Sequence, residues 1–493
     1  MGRIMRHKRS AINLIAAISY QFVNTLLGLL LPYLFITEFG SETNGLLSSV
    51  TQLFVYVNLL EGGVGGATVQ ALYNPISRND RQNICEIMSA TSQYYLKTGA
   101  WYGAFVILLS FIYPLVVSTK LSNETVRMII LLQGASGVWS YLVQGKYSLL
   151  LKADGRMYIL NVLMMCTSIL RNAGKIWAIA SGYDIIAVQM IHLVITILQS
   201  GFVVAYAKHN YKWLNFKAAP DFDAIAQRGA VLVQQLAWLV FNHTDVIMLT
   251  MIGRDLVLVS IYSLYTLVFD AIQNVIETAS KSIQFRLGEY SQKSRQAFSE
   301  YCLKYRKTYI FLVVSLLTTT YLLLRPFIRI YVRNVTDGNY LMQYLPELFF
   351  ACRLLYSMRD LNLQIMNAVG HFRAAKKIAI AEAGLNLIVS LCMVPFFSIY
   401  GVLSGTIIAL LFSCIAYTWY TNRIVLGGNQ KQFYSCAEAN GIVMLGVCWL
   451  GKQTIPAIET SYIDWILAAI PLTAIVFGIF GLVYICSLKC KQI

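Results

Sequence analysis

The sequence predicts an all-α, polytopic membrane protein with about fourteen transmembrane helices, and three observations predict this fold class. Of the 493 residues, 57% are hydrophobic and only 13% are charged, whereas a soluble domain carries about 25% charged residues. The apolar residues form long blocks such as 11–35, 231–252 and 465–486, and a helix needs roughly 20 residues to cross the hydrocarbon. No run alternates apolar and polar residues over about ten positions, as membrane strands do.

The N-terminus is basic, and an apolar run of roughly 25 residues without a small-residue cleavage site follows it, so it predicts a retained first span. The polar connections between the apolar blocks divide the rest of the chain. The expected spans are 11–36, 44–73, 88–117, 125–150, 157–180, 185–207, 229–252, 256–283, 308–325, 341–369, 378–397, 402–421, 436–451 and 464–487.

The distribution of Lys and Arg predicts the orientation of these spans. With the N-terminus inside, most of the 39 basic residues fall in inner connections and inner helix ends. The basic residues of the outer connections are Lys120, Arg254, Arg325, Arg329, Arg333 and Lys452. We therefore expect a multi-pass protein of the bacterial cytoplasmic membrane with both termini cytoplasmic, and the net charge of +16 does not indicate nucleic-acid binding.

The inner connection 284–307 mixes basic and aromatic residues, among them Arg286, Tyr290, Phe298 and Arg306. An ordinary positive-inside loop is the simpler interpretation of this pattern. A helix lying at the lipid headgroups is the alternative.

No cofactor or metal site is expected. The ten cysteines lie in predicted spans or on the inner side, which does not favour disulfides, and their spacing resembles no metal site. The run from Gly446 to Gln453 reads G-x-x-x-x-G-K-Q, which departs from the phosphate-loop pattern at its last position, and it lies at an outer helix end, where ATP is absent.

The two halves of the chain resemble each other at an offset of 213–217 residues, which indicates an internal repeat. The matching pairs are Phe39-Gly40 with Ile252-Gly253, the run 153–157 with 368–372, and Tyr183-Asp184 with Tyr400-Gly401. The offset covers an even number of spans, so both copies keep one orientation. The expected organisation is an N-terminal lobe of six spans (1–208), a cytoplasmic linker (209–228), a C-terminal lobe of six spans (229–422) and a last helix pair (423–493).

The chain resembles the polysaccharide repeat-unit (Wzx-type) flippases, whose superfamily includes the lipid II flippases and the multidrug and toxin extrusion (MATE) antiporters. The residues that carry the resemblance are 60–67, 242–250, 259–265, 367–373, Asn386 and 400–406. It implies two six-helix lobes, a further C-terminal helix pair as in the flippase branch, and transport of a lipid-linked oligosaccharide.

Ionisable side chains within spans cost roughly 2.5–3.5 kcal/mol each at a helix centre, so we expect them to face water or a partner. The basic candidates for a cavity that binds the headgroup are Lys97, Lys146, Arg171, Lys175, Arg353 and Arg359. The acidic candidates for ion coupling or cavity ion pairs are Glu61, Asp245, Asp270 and Asp360.

Arg171 and Lys175 are four residues apart, on one face of a predicted span. Two cations on one face repel each other, and a pyrophosphate between them would relieve both. The alternative is that they pair with Asp270 or Glu61.

Arg353 and Arg359 point about 120° apart around their helix, so only one can face a cavity. Arg359 is expected to face the cavity or to be neutralised by Asp360 or Asp245. Glu61 precedes two glycine pairs in mid-span, and these glycines favour tight helix packing or a kink. Glu61 is either a coupling carboxylate for a proton or a cation, or one member of a structural ion pair.

Three functions fit these features to different degrees. A flippase would carry a polyprenyl-pyrophosphate-linked oligosaccharide through a hydrophilic cavity while its tail stays among membrane lipids, with H⁺ or Na⁺ as a possible coupling ion. Polymerases and glycosyltransferases of surface polysaccharide synthesis (O-antigen or capsule) would be its partners. A proton- or cation-coupled multidrug antiporter on the same fold is the alternative. The short outer loops leave little room for an enzyme's catalytic region, so no enzyme is expected.

Overall fold

The computed structural model describes residues 2–61, 63–225, 239, 243–291, 294–427, 431–454 and 461–489. The described residues are almost entirely helical and contain no strand. The all-α prediction is therefore confirmed. The chain divides into two compact units, Met1–Ser260 and Ile261–Ile493. The helix Leu256–Ser291 begins in the first unit and continues into the second.

The described helices follow the predicted spans closely in number and order. Those that begin in the first unit are α1 (Gly2–Phe39), α2 (Ser41–Val57), α3 (Val64–Arg78), α4 (Arg81–Val116), α5 (Asn123–Trp139), α6 (Gly145–Ala153), α7 (Met157–Ala180), α8 (Ile185–Asn210) and α9 (Leu256–Ser291). Those of the second unit are α10 (Arg295–Tyr331), α11 (Leu345–Ala368), α12 (Phe372–Phe397), α13 (Ile399–Tyr420), α14 (Lys431–Thr454) and α15 (Tyr462–Lys489). A π-helical turn at Ser140–Gln144 joins α5 to α6, so the two form one long span.

Within the described ranges, ten helices are long and apolar enough to cross a membrane. The predicted spans not among them are 44–73, 157–180, 229–252 and 341–369. The first is broken, and the second and fourth (α7 and α11) each carry two or more ionisable residues. Most of the third lies outside the described residues. The chain is a multi-pass membrane protein, as predicted.

The predicted second span is two helices, because the chain breaks between Val57 and Val64. A 3₁₀ turn occupies Asn58–Glu61, and Gly63 has a φ of 73°, a left-handed conformation that favours glycine. Gly65 serves close packing, since a Cβ there would collide with the Glu61 carboxylate. The kink and the packing that the glycines predicted are both present, while Gly62 lies outside the described residues.

The predicted loop 284–307 is wrong. Helix α9 continues to Ser291, and α10 begins at Arg295 with Ser294 as its N-cap, accepting a hydrogen bond from the Ala297 amide. The mixed basic and aromatic pattern therefore belongs to the ends of two long helices. The Arg306 side chain is fully buried there, and its guanidinium donates to Asn422 Oδ1 at 2.7 Å and Asn362 Oδ1 at 2.6 Å.

The predicted repeat has a local structural counterpart. Gly155 after α6 and Gly370 after α11 both have a positive φ, 71° and 78°. In both turns the amide of the residue after the glycine donates a hydrogen bond to a carbonyl group in the last turn of the helix. Arg156 N donates to Leu151 O at 2.9 Å, and His371 N donates to Met366 O at 3.0 Å. Matched sequence positions thus form the same helix-ending turn.

The predicted lobe boundary at 228/229 stays a prediction. Residues 226–238 and 240–242 lie outside the described residues, and the linker 209–228 is described only up to Ile225. The compact first unit includes the described part of the predicted seventh span, 243–252.

Candidate functional site

Arg171 and Lys175 lie one turn apart on α7, and both are drawn into the first unit. The Lys175 side chain is only 8% exposed, and its Nζ lies 5.7 Å from the ring centroid of Phe35 on α1. Arg171 is partly buried, and its Nε is fully shielded. Helix α7 contacts both α1 and α8, so the two cations lie within a bundle.

The buried face of α7 is polar and its exposed face is apolar. Asn161, Ser168, Asn172 and Lys175 follow one helical stripe and are all buried. Leu170, which is 59% exposed, and Trp177, which is 61% exposed, lie outside this stripe. This arrangement is reversed from that of a soluble helix and is expected where lipid surrounds the bundle.

Neither cation of this pair meets an acid among the described residues. Arg171 Nε is buried without a hydrogen-bond partner, and no carboxylate forms an ion pair with Arg171 or Lys175 there. The two acids suggested by the sequence have other partners. Glu61 accepts a hydrogen bond from Tyr95 at 2.6 Å, and Asp270 forms an ion pair at 2.7 Å with Arg353.

His192 on α8 is a third polar side chain near this pair, and the sequence analysis did not single it out. A Cβ added to Gly174 would lie 3.0 Å from Ile191, so α7 and α8 are closely packed at this level. His192 follows Ile191 and interacts electrostatically with both Lys175 and Arg171. The signal in the sequence would have been its spacing along α8 with Gln189 and Thr196, which places the three on one polar face.

The other two basic candidates of the first unit lie elsewhere. Lys146 Nζ donates to Ser92 Oγ at 3.0 Å and lies 4.6 Å from the Phe216 ring centroid. Lys97 is exposed on α4, between exposed Leu96 and Trp101, and has no contact with Arg171 or Lys175.

Two of the acidic candidates lie near the α2–α3 break, each among polar neighbours. Tyr95 holds the Glu61 carboxylate, as described above, and Tyr141 donates to Asn58 Oδ1 at 3.1 Å in the same turn. Asp245 is buried at 6% exposure and interacts electrostatically with Tyr56.

The residues beside Asp245 bind directly to α2. His243 Nδ1 lies 2.6 Å from Gln52 Oε1, and the Thr244 hydroxyl lies 2.5 Å from that of Tyr56. The segment 243–245 is therefore tied to α2 through polar contacts.

In the second unit, the cationic candidates are matched by acids. Arg353 and Asp270 form the 2.7 Å pair, with Asp270 half exposed, and Arg359 Nε lies 3.1 Å from Glu382 Oε1 with both side chains buried. Asp360, one of the two acids considered as partners of Arg359, is a further carboxylate that interacts with it electrostatically and accepts a hydrogen bond from Gln364 at 3.3 Å. Glu382 is the partner that sequence spacing alone could not identify.

The two units thus differ in how their intramembrane cations are neutralised. The second unit pairs Arg353 and Arg359 with its own carboxylates, whereas the first unit leaves Arg171 and Lys175 without an acid in its described part. Such a pair can hold an anion by charge and by hydrogen bonds. The described residues contain no cluster of His, Cys, Asp and Glu that could bind a metal.

Comparison with known proteins places the fold. No family model and no curated protein sequence matches the chain. Among solved structures, the lipid II flippase MurJ in an inward closed conformation matches with a TM-score of 0.73 and 15% identity, over 97% of this chain and 100% of that one. The MATE multidrug transporter DinF-BH in complex with R6G matches with a TM-score of 0.58 and 13% identity, over 85% and 96% of the two chains.

A third match is a transporter of the MOP superfamily from Pyrococcus furiosus, with a TM-score of 0.56 and 14% identity over 86% and 97% of the two chains. The predicted MATE and lipid II flippase fold is therefore confirmed.

Proposed function

We propose that the protein is a flippase that translocates a polyprenyl-pyrophosphate-linked oligosaccharide repeat unit across the bacterial cytoplasmic membrane for cell-surface polysaccharide synthesis. The observation that carries this proposal is the Arg171–Lys175 pair, in which Lys175 is buried, Arg171 is partly buried and neither has an acidic partner among the described residues. The fold is one that flippases and multidrug transporters share. Alternating access on this fold would move the headgroup while the lipid tail stays in the bilayer.

The chemistry of the pair fits a pyrophosphate. A guanidinium offers two parallel N–H donors to phosphate oxygens, and a neighbouring ammonium adds a point charge. A buried ammonium and a partly buried guanidinium one turn apart repel each other, and an anion between them relieves this repulsion. A ligand of opposite charge therefore gains from both groups at once.

Lys146 and Lys97, which lie apart from this pair, would be separate cationic groups of the first unit, and Arg353 of the second unit would become available to an anion if its pair with Asp270 opened. The half-exposed Asp270 carboxylate supports this role, because a partly solvated ion pair exchanges partners more readily than a buried one. Buried Arg359 and Glu382 are better suited to hold α11 against α12.

A cation- or proton-coupled antiporter of small molecules is the second candidate. It is favoured by Glu61 and Asp245, two carboxylates close to the break between α2 and α3, and by the MATE neighbours with the same fold. In a flippase the same carboxylates would serve H⁺ or Na⁺ coupling. The two functions differ in the charge of the transported molecule.

The experiment uses purified protein in proteoliposomes with a fluorescent short-chain polyprenyl-pyrophosphate oligosaccharide. A membrane-impermeant reductant quenches only the outer leaflet, so protein-dependent loss of the protected fraction measures flipping. We expect flipping of this probe and none of an analogue in which a neutral linker replaces the pyrophosphate. Transport of a lipophilic cationic dye, without flipping of the probe, would instead establish the antiporter.

The proposed orientation has its own test. Cysteines introduced at Ser122 and Asn339, which we expect outside, should react in intact cells with a membrane-impermeant thiol reagent. Cysteines at Ser77 and Ser294 should react only after lysis. Labelling of position 294 in intact cells would contradict cytoplasmic termini.

A further inference from the structure

The segment 211–225, which follows α8, is bound across the ends of α3, α4 and α6 instead of leaving the first unit. Four hydrogen bonds fix it to one turn and a half of α4, and in one of them Cys85 Sγ donates to Trp213 O at 3.8 Å. The Asn215 amide donates to Cys85 Sγ at 3.3 Å, Ser89 Oγ donates to Phe216 O at 2.9 Å, and the Asp221 amide donates to Glu86 O at 3.3 Å. Backbone groups of the segment thus bind directly to two side chains and one carbonyl group of α4.

Side chains hold both ends of this segment. At its start, the Tyr211 hydroxyl donates to Asp154 Oδ2 at 2.6 Å, and the Arg81 guanidinium lies 5.4 Å from the Trp213 ring centroid. At its end, the Ile225 side chain is completely buried. Burial also raises the pKa of the Tyr211 phenol, which keeps this hydrogen-bond donor protonated.

The middle of the segment covers a cation. The Phe216 ring packs edge-on against Tyr147, with centroids 5.4 Å apart, and lies over Lys146 at 4.6 Å. Lys146 has no acidic partner among the described residues, and Ser92 is its hydrogen-bond partner. Its Nζ also lies 5.8 Å from the Tyr147 ring centroid, so among the described residues its charge faces two rings and a neutral hydroxyl.

We propose that the segment 211–225 is a latch that closes this end of the first unit over Lys146, and that a phosphate group of the lipid-linked headgroup opens it by displacing Phe216 from Lys146. This inference rests on the proposed function and adds its regulation. A phosphate carries full negative charge and accepts hydrogen bonds, so it outcompetes a ring for an ammonium. Because Phe216 is joined to α4 through its own backbone oxygen, loss of the ring contact loosens the segment where it is bound to the helix.

The native Cys85 allows the latch to be locked. The Asn215→Cys variant places a second thiol beside Cys85, because the Asn215 backbone nitrogen already lies 3.3 Å from its sulfur. We expect oxidation to form this disulfide, detected by mass spectrometry of the joined peptides, and to stop flipping of the pyrophosphate probe. A reducing agent should restore flipping.

The matched control is Asn215→Cys with Cys85→Ser, which keeps the remaining native cysteines and should flip equally well under oxidising and reducing conditions. Unchanged flipping by the cross-linked protein would overturn the latch while leaving the flippase intact. Absence of flipping by wild-type and reduced protein would overturn the proposed function itself. If no disulfide formed, the bound position of the segment would be wrong.

A second measurement tests whether pyrophosphate displaces Phe216 from Lys146. A cysteine at buried Ser92 should react slowly with a charged maleimide, and inorganic pyrophosphate should accelerate the reaction several-fold by displacing Phe216. Phe216→Ala should accelerate it without pyrophosphate, and Lys146→Met should remove the pyrophosphate effect. A rate that pyrophosphate does not change would refute phosphate-driven opening.

Discussion

Replacement of Arg171 by alanine should weaken headgroup binding without destabilising the protein. In an ordinary buried ion pair, removal of one partner leaves an uncompensated charge and costs about 3–5 kcal/mol. Arg171 has no acidic partner among the described residues, so its removal strands no carboxylate there. Instead it relieves the repulsion with Lys175, which is only 8% exposed.

We expect Arg171→Ala to lower the affinity for the headgroup but not the free energy of unfolding. A hydrogen bond to a charged group contributes roughly 1.5–3 kcal/mol, which is about a 10- to 150-fold loss of affinity for the pyrophosphate headgroup. Relief of the repulsion should leave the free energy of unfolding unchanged or raise it. At an effective dielectric constant near 20 and a separation of about 6 Å, the gain is at most about 3 kcal/mol.

The assay pairs affinity for the pyrophosphate probe in detergent with the thermal unfolding midpoint of the same samples, at one fixed salt concentration. Arg171→Lys keeps the charge but loses the bidentate fork, so its affinity should fall between those of wild type and Arg171→Ala. Lys152→Ala, which removes an exposed lysine on α6, is the control for loss of one positive charge. It should change neither quantity.

One result would refute this reasoning directly. If Arg171→Ala lowered the unfolding midpoint by several degrees, and if removing an acid in the same protein restored it, Arg171 would be half of a structural ion pair. Wild-type affinity in Arg171→Ala and Lys175→Ala, at matched protein levels, would remove the phosphate site.

Two further predictions concern stability. Glu382→Gln should lower the yield of folded protein, because it removes the negative charge that lies 3.1 Å from the buried Arg359 guanidinium. Arg359→Met combined with Glu382→Leu should recover most of the yield in fluorescence-detected size-exclusion chromatography. Equal yields of Glu382→Gln and wild type would contradict the pair. Gly45→Ala should lower the unfolding midpoint, since its Cβ would collide with the Leu256 carbonyl oxygen, whereas Gly441→Ala, with nothing within 4 Å, should be neutral or slightly stabilising. Equal midpoints for the two glycine variants would show that α2 can shift at no cost.

Individual residues show where prediction from the sequence succeeded. The apolar blocks located the helices, because a bilayer imposes a length and an apolarity that any single span must satisfy by itself. The break at Gly63 and the turns at Gly155 and Gly370 were also predictable, since left-handed backbone favours glycine at a local level. The interval 284–307 was predicted as a loop because basic residues at helix ends have the same composition as a positively charged loop. Only the structure shows that one of them, Arg306, is fully buried within a helix.

The sequence by itself determined that this chain is an all-helical membrane protein, where most of its spans lie and which ionisable residues fall within them. These properties follow from local composition and from the cost of charge in hydrocarbon. Only the tertiary structure decided how those residues are partnered. In the structure Arg359 pairs with Glu382, and Arg353 pairs with Asp270. His192 lies near Arg171, and the two cations of α7 have no acidic partner among the described residues. The sequence could not show this, because pairing depends on which helix faces meet within the bundle.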